Sequence, residues 1–482
     1  MEWMAISEPM LPGQPMPVAP PAPWSVRRYI WVTVAAVAFT GLVFVGASLI
    51  PGERYFAIIL AGLPLALLVA YSPEVGFYLF VLAVPFESLG EIGEFFSLLK
   101  PFGIFLMIVL VFHLIVKRRV TFHVGALWFA VAMVAFSLLT IFAAPSAEWF
   151  WVSVSTRMML VGLLFMAVNT CVTREQALTF LWVLFLGAAL VSIGVYFFPQ
   201  RVAYTRVEEF VRPTIPGVGT NSHAKDLMPG LLLVPFLYKR SRGWVKAVVI
   251  VAMVLSAIGL LRTATRSVYI AVVIGFLVMA LTVRGKSMAW RLLFIGGGVA
   301  VGAAVVVIAG VLGLYSVGAV YDRVLEIWQV GLRSGNRVGL YRLALELGAT
   351  HPLLGVGPGG YYVEAIKAHL RNSNAHNDVL NAFAEGGIPG LLLYLGFLVA
   401  VLRSGWRATD PWLRSCAVAL FVAAIVASLA NSSFVLKGYW LHVAACVVAG
   451  TAFGPSSVAE TVGTPVAAPA ATVPQPVMSS GP

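Results

Sequence analysis

His376, Asn377 and Asp378 stand together just before the chain turns apolar near Ile388. An imidazole, with an ordinary pKa near ~6.5, accepts a proton at ambient pH, which makes His376 a candidate general base. Asn377 and Asp378 can orient it. Equally, a loop histidine can do no more than cap the following helix, and an Asp ahead of an apolar helix is a routine N-terminal charge. Arginines form the second group. Arg266 lies in LRTATRSVYIAVV at the end of an apolar run, with Arg262 one helical turn earlier. A guanidinium there either snorkels to lipid headgroups or turns inward and grips a diphosphate through paired hydrogen bonds. Arg337 opens a run to Thr350 in which Val338, Leu340, Tyr341, Leu345 and Leu347 interleave with Arg342 and Glu346, the pattern of an amphipathic helix. Arg212 belongs with Arg206, His223 and Lys225 to a basic stretch at 201–225 and is a candidate phosphate contact. Arg157 sits near the middle of the apolar run Trp149 to Thr170, where an unpaired charge costs about 2.5 to 3.5 kcal/mol on insertion scales. It must face the protein interior, toward either a phosphate-bearing ligand or a buried acid.

The chain that positions these residues is built for a membrane. Of its 482 residues 60% are hydrophobic and 11% charged, against ~25% charged in soluble domains. Apolar segments recur at 29–50, 55–71, 75–90, 101–116, 124–144, 149–170, 176–198, 227–238, 244–261, 267–283, 291–315, 387–403, 412–430 and 437–454. Those at 75–90 and 227–238 are short or interrupted by Pro or Glu, so the expected fold is an all-α polytopic membrane protein with 12–14 transmembrane helices, best count 14. The run Tyr29 to Ile50 follows Arg27 and Arg28 and outlasts a signal-peptide core of ~7–15 residues, so it reads as a retained span. Lys and Arg exceed Asp and Glu by 32 to 20, yet they sit in short connections and form no basic stripe, so nucleic acid is not an expected partner. They crowd alternate connections, such as Lys117 to Arg119, Lys239 to Arg242 and Arg403 to Arg407. That bias places both termini in the cytoplasm and residues 316–386 outside, between spans within 27–315 and spans within 387–454. The Pro-rich residues 1–26 and the Ala/Pro-rich residues 455–482 read as disordered cytoplasmic tails. Cys171, Cys416 and Cys446 lie in or beside apolar runs without metal-ligand spacing. GVGPGG at 355–360 lacks the Lys-Ser/Thr ending of a phosphate loop and reads as a tight turn.

Four features of the outer stretch share one pattern: Arg337 opening a helix, HPLLGVGPGGY at 351–361, His376 with Asn377, and EGGIPGLLLYL at 385–395. The pattern resembles the O-antigen ligase and polymerase superfamily. The resemblance implies a bacterial inner-membrane, inverting glycan transferase that moves a glycan from undecaprenyl diphosphate to an acceptor hydroxyl: a lipid A core sugar, a growing glycan or a protein. It implies His376 as general base and Arg266 and Arg337 as donor contacts, with no cofactor and no metal, since fixed arginines can stabilise a diphosphate leaving group. A polytopic transporter or flippase is the rival reading, with Arg157 and the interrupted spans lining a path. The absence of an internal repeat weighs against it. Single cysteines at Ser334→Cys and Ser480→Cys test the topology in outer-permeabilised cells. An impermeant thiol reagent should label the first and spare the second, and the reverse pattern would overturn it.

Overall fold

The computed structural model describes residues 69–90, 97, 99–117, 120–121, 124–197, 200–202, 212–214, 219–263, 265–283, 287–291, 296, 335–370 and 374–455, all within one compact unit. The run at 29–50, the tail 1–26, nearly all of 55–71, of 291–315 and of the tail 455–482, and the first part of the expected outer loop lie outside the described residues. Among the described residues the regular structure is helical apart from one antiparallel ribbon of β1 (Gln200–Val202) and β2 (Arg212–Thr214). The helices are α1 (Pro73–Ala83), α2 (Leu99–Lys117), α3 (Gly125–Leu139), α4 (Ala147–Thr170), α5 (Arg174–Phe197), α6 (Thr220–Asp226), α7 (Pro229–Leu232), α8 (Val234–Arg240), α9 (Val245–Thr263), α10 (Arg266–Thr282), α11 (Gly335–Thr350), α12 (Gly360–Lys367), α13 (Asp378–Trp406), α14 (Pro411–Ala430) and α15 (Lys437–Ala452).

Among the described residues seven helices are long and apolar enough to cross a membrane: α2, α3 with its 3-10 extension to Ala143, α4, α5 to Val195, α9, α13 and α14. Their burial is one-sided. Ile104, Ile108, Phe112 and Ile115 form an exposed stripe along α2, 54–67% accessible, while Leu106, Leu110 and Leu114 pack inward. Such a stripe would be an aggregation site in water and is the expected contact with lipid tails. The protein is a multi-pass membrane protein. The run at 227–238 is divided between α7 and α8, with Pro229 and Pro235 each in the first turn of a short helix where no N–H is needed.

Connections collect at two ends. At one, the Thr121 amide donates to Asn169 (2.7 Å), Tyr78 donates to the Gln176 carbonyl (3.1 Å), Arg240 pairs with Asp410 (3.9 Å) and Thr409 donates to the Phe453 carbonyl (2.8 Å). At the other, the turn at 355–360 rests on residues 140–149, Lys225 meets the 431–433 turn, and Lys437 pairs with Glu87. These are the two sets of connections that the charge pattern assigns to opposite sides of a membrane.

The span expected from 387 begins as helix at Asp378. Asn377 is its N-cap, accepting from the amides of Val379 (3.0 Å) and Leu380 (3.2 Å). α13 then bends at Gly387, whose φ of 61° and ψ of −155° are accessible essentially to glycine alone. The bend frees the Ile388 amide to donate to the Pro352 carbonyl (2.8 Å), and Pro389 follows with no N–H to satisfy. A Cβ at 387 would overlap that carbonyl, whereas one at Gly386 would meet Phe136 at an ordinary 3.5 Å. Gly387→Ala should therefore destabilise the protein by at least about 1–3 kcal/mol of backbone strain, read as a lowered unfolding midpoint in detergent, while Gly386→Ala stays near native.

Candidate functional site

The segment from α11 to the start of α13 has its own small core, which fixes one polar element against another. Leu340, Ala344 and Leu347 of α11 bury their side chains with Val356, Tyr361, Ala365, Ala375 and Ala384. Tyr361 donates to the Leu340 carbonyl (3.0 Å). The apolar face of α11 is narrower than its composition suggests, for Val338 and Leu345 are 63% and 51% exposed. Arg337 is half-buried one turn before Leu340, and Ala375 is the neighbour of His376, so this core sets the relation between the arginine and the histidine.

The GVGPGG turn joins that core to the spans. The Val356 amide donates to the Ala384 carbonyl (3.0 Å), and Gly355, at φ 62°, lies where a Cβ would overlap the backbone of Glu385 and Gly386. Glu385 ties three elements together. One of its oxygens accepts from the Gly359 amide (3.0 Å), and the other pairs with Arg157 of α4. Arg157 also donates to the Ser137 hydroxyl of α3 (2.8 Å). Of the two roles open to Arg157 in sequence, pairing with a buried acid is the one this geometry displays. The Arg157 and Glu385 side chains are 17% and 8% exposed.

His376 has a left-handed backbone, φ 51°, in which its amide donates to Asn374 Oδ1 (3.0 Å). A non-glycine residue there costs of order 1–3 kcal/mol and persists only where its surroundings hold it. Its Nδ1 lies 2.9 Å from Asn431 Oδ1. Burial lowers its pKa from 6.5; the Asn431 bond opposes this, and the charges of Arg337 and Lys225 add to it. The imidazole is therefore neutral, and able to take a proton, at neutral pH. Asn377 serves as the cap of α13. Asp378, buried beneath, directs its carboxylate at the amides of Ser433 and Phe434, each at 3.0 Å. The side chain that meets His376 is Asn431.

Arg266 is half-buried at the start of α10, just after the turn from α9; α10 and α9 both contact α6, the helix that carries Lys225. It thus shares the end of the bundle with His376 and Arg337. Arg212 is a strand residue of β2, a strand that packs on α6 and α9; its side chain is outside the described set. A cavity of about 70 Å3 between α3, α4 and α13 runs from Arg157, Ser137 and Glu385 to Asn374, Asp378 and Ser432, with apolar walls that include Met133, Val161, Leu393 and Tyr394. Two members of this site escaped sequence reasoning. Glu385 is an isolated acid within AFAEGGIPG, and Asn431 opens the polar tetrad NSSF between two apolar runs; both interruptions are visible in the sequence.

Residues 251–395 match the model of the O-antigen ligase family. That stretch is an O-antigen ligase domain. It runs from α9 into the first half of α13 and holds Arg262, Arg266, Arg337, His376, Asp378 and Glu385, while Arg157, Lys225 and Asn431 come from outside it. A comparison with curated proteins gives no match. The O-antigen ligase domain supports an activity of the ligase or polymerase type in polysaccharide biosynthesis, on lipid-linked glycan donors in general.

Breaking a buried ion pair from one side strands the other charge and costs about 3–5 kcal/mol, whereas replacing both partners with apolar groups is often neutral. Arg157→Met should accordingly lower the unfolding midpoint sharply. Glu385→Leu in the same chain should recover much of that loss, leaving the cost of the lost Gly359 bond. Equal midpoints for Arg157→Met and native protein would show that the pair carries no stability.

Proposed function

We propose that the protein transfers a glycan from an undecaprenyl diphosphate carrier to an acceptor hydroxyl on the outer face of a bacterial inner membrane. The observation that carries this reading is the convergence of a neutral histidine, His376, with the cation of Arg337 at one end of a helical bundle whose sides are apolar. The O-antigen ligase domain supports it. His376 takes the proton of the acceptor hydroxyl as its oxygen attacks the anomeric carbon, with inversion. Arg266 and Arg337 hold the departing diphosphate, whose growing charge they stabilise. Arg212 adds a further contact to the donor phosphates. Arg157 acts one step behind them, holding Glu385 and so the turn at 355–360. A diphosphate is a good leaving group, and guanidinium charge can replace a divalent ion, so turnover should persist in excess chelator; loss that magnesium or manganese restores would sink this mechanism. Both termini lie in the cytoplasm on the charge bias of the connections. The acceptor is a lipid A core sugar, a growing carrier-linked glycan or a protein hydroxyl, which glycan and lipopolysaccharide profiles of a deletion strain separate.

The division of labour is measurable. Arg266→Lys and Arg337→Lys keep the charge but lose the planar fork, so donor affinity should fall in both. His376→Ala should bind donor normally and lose ~10²–10⁴-fold in single-turnover rate. A near-native rate for His376→Ala at saturating substrates would remove His376 from the chemistry. Because burial lowers the His376 pKa, the basic form persists below pH 6.5, and the acid limb of the rate profile should lie under that value. Arg337→Gln removes a charge that opposes protonation, so its limb should move up.

A further inference from the structure

Residues 431–434, between α14 and α15, form a turn whose backbone is held from three sides. Lys225 of α6 donates to the Asn431 carbonyl (2.9 Å) and to the Ser433 hydroxyl. Asp378 of α13 accepts from the amides of Ser433 and Phe434. Trp440 of α15 donates through Nε1 to the Phe434 carbonyl (2.6 Å). Lys225, Asp378 and Trp440 are all buried. None of these contacts uses the Asn431 side chain, which reaches instead across 55 residues of sequence to His376 Nδ1 at 2.9 Å. Three helices thus immobilise a turn that presents one amide to one imidazole.

With the amide oxygen of Asn431 turned to the ring it can only accept, an arrangement that puts the proton of the neutral ring on Nδ1 and the lone pair on Nε2. We propose that Asn431 is a positioning residue for proton transfer, which fixes the His376 tautomer and ring orientation so that Nε2 is the basic atom, and that Lys225 and Asp378 serve it by holding its turn. The assignment rests on the transferase reading above. In that step the acceptor O–H proton passes to Nε2, the oxygen forms its bond to the anomeric carbon, and the carbon–oxygen bond to the diphosphate breaks with its electron pair leaving on the diphosphate. The imidazolium then holds a proton on each nitrogen, and Asn431 still accepts from Nδ1. The charges around the ring come from Arg337 of α11, Lys225 of α6 and Asp378 of α13, whose carboxylate is already engaged with the 433–434 backbone.

Two substitutions at one position separate positioning from packing. Asn431→Leu keeps the volume and loses the acceptor; Asn431→Asp keeps the acceptor and adds a charge that favours the imidazolium. With a defined lipid-linked donor and purified protein, Asn431→Leu should bind donor as native does. It should lose about tenfold or more in single-turnover rate, short of the ~10²–10⁴-fold for loss of the base. Its acid limb should move down, because the bond it removes raises the His376 pKa. Asn431→Asp should retain most of the rate at high pH and carry its acid limb upward. Adding Asn431→Leu to His376→Ala should cost nothing further, since the two act through one ring. A merely structural role predicts parallel losses in both variants, unmoved limbs and an additive double variant, and that outcome overturns the assignment. If His376→Ala is slow while Asn431→Leu is native in rate and limb, the Asn431 assignment fails alone. If His376→Ala turns over normally, the transferase reading of His376 fails and takes this assignment with it.

Discussion

The buried pair of Arg157 and Glu385 is the constraint on which the geometry of the site depends. An arginine within a span is tolerable only if its charge is met inside the protein, and Glu385 meets it from a helix 228 residues further along the chain. The same carboxylate accepts from the Gly359 amide, so neutralising the arginine also seats the GVGPGG turn on α13. Desolvating two charges is expensive, and such a pair adds little net stability compared with apolar packing. What it adds is register: the bend at Gly387, the turn at 355–360 and the first two turns of α4, at Trp149 and Ser153, are held in one arrangement.

From that arrangement the layer that carries Arg337 and His376 is assembled by ordinary packing. α11 and α12 share a core with the start of α13, and Trp149 of α4 packs against Tyr362 of α12 with ring centres 4.1 Å apart and planes tilted by 59°. Arg337 and His376 are each within a residue or a turn of a member of that core, so the distance between a cation and a base is fixed by apolar contacts that neither makes. A second buried polar frame, Lys225 with Asp378 and the 431–434 turn, meets His376 through Asn431. The histidine is thus tied to both frames while its own backbone adopts a costly left-handed conformation. Electrostatic preorganisation of this kind is worth more at the edge of a low-dielectric bundle than in water.

Much of this was legible in the sequence, for reasons that can be stated residue by residue. Spans α2 to α5, α9, α13 and α14 announce themselves through apolar runs that no soluble helix needs. Arg157 was legible as an interior charge because the membrane leaves it no alternative. Its partner was not, since either a ligand or any of several acids would satisfy the same energetic demand. The role of Asp378 was ambiguous because an acid at a helix start serves equally as a dipole partner, an orienter or, as here, a clamp on a distant backbone. Asn431 was invisible as a partner of His376 because its contact is purely tertiary, and the apolar face of α11 was overcounted because Val338 and Leu345 point away from the core they were expected to join.

The central claim is that the outer end of this bundle performs a group transfer. The most direct measurement uses purified protein in detergent with a defined undecaprenyl-diphosphate-linked glycan and an acceptor mixture, with no nucleotide and no ion gradient, and follows the release of undecaprenyl diphosphate. The account predicts release coupled one-for-one to new glycosidic product and slowed ~10²–10⁴-fold in His376→Ala. An intact donor that the protein binds through its arginines but never consumes, and moves across the bilayer only after reconstitution in vesicles, would contradict it and mark the protein as a transporter.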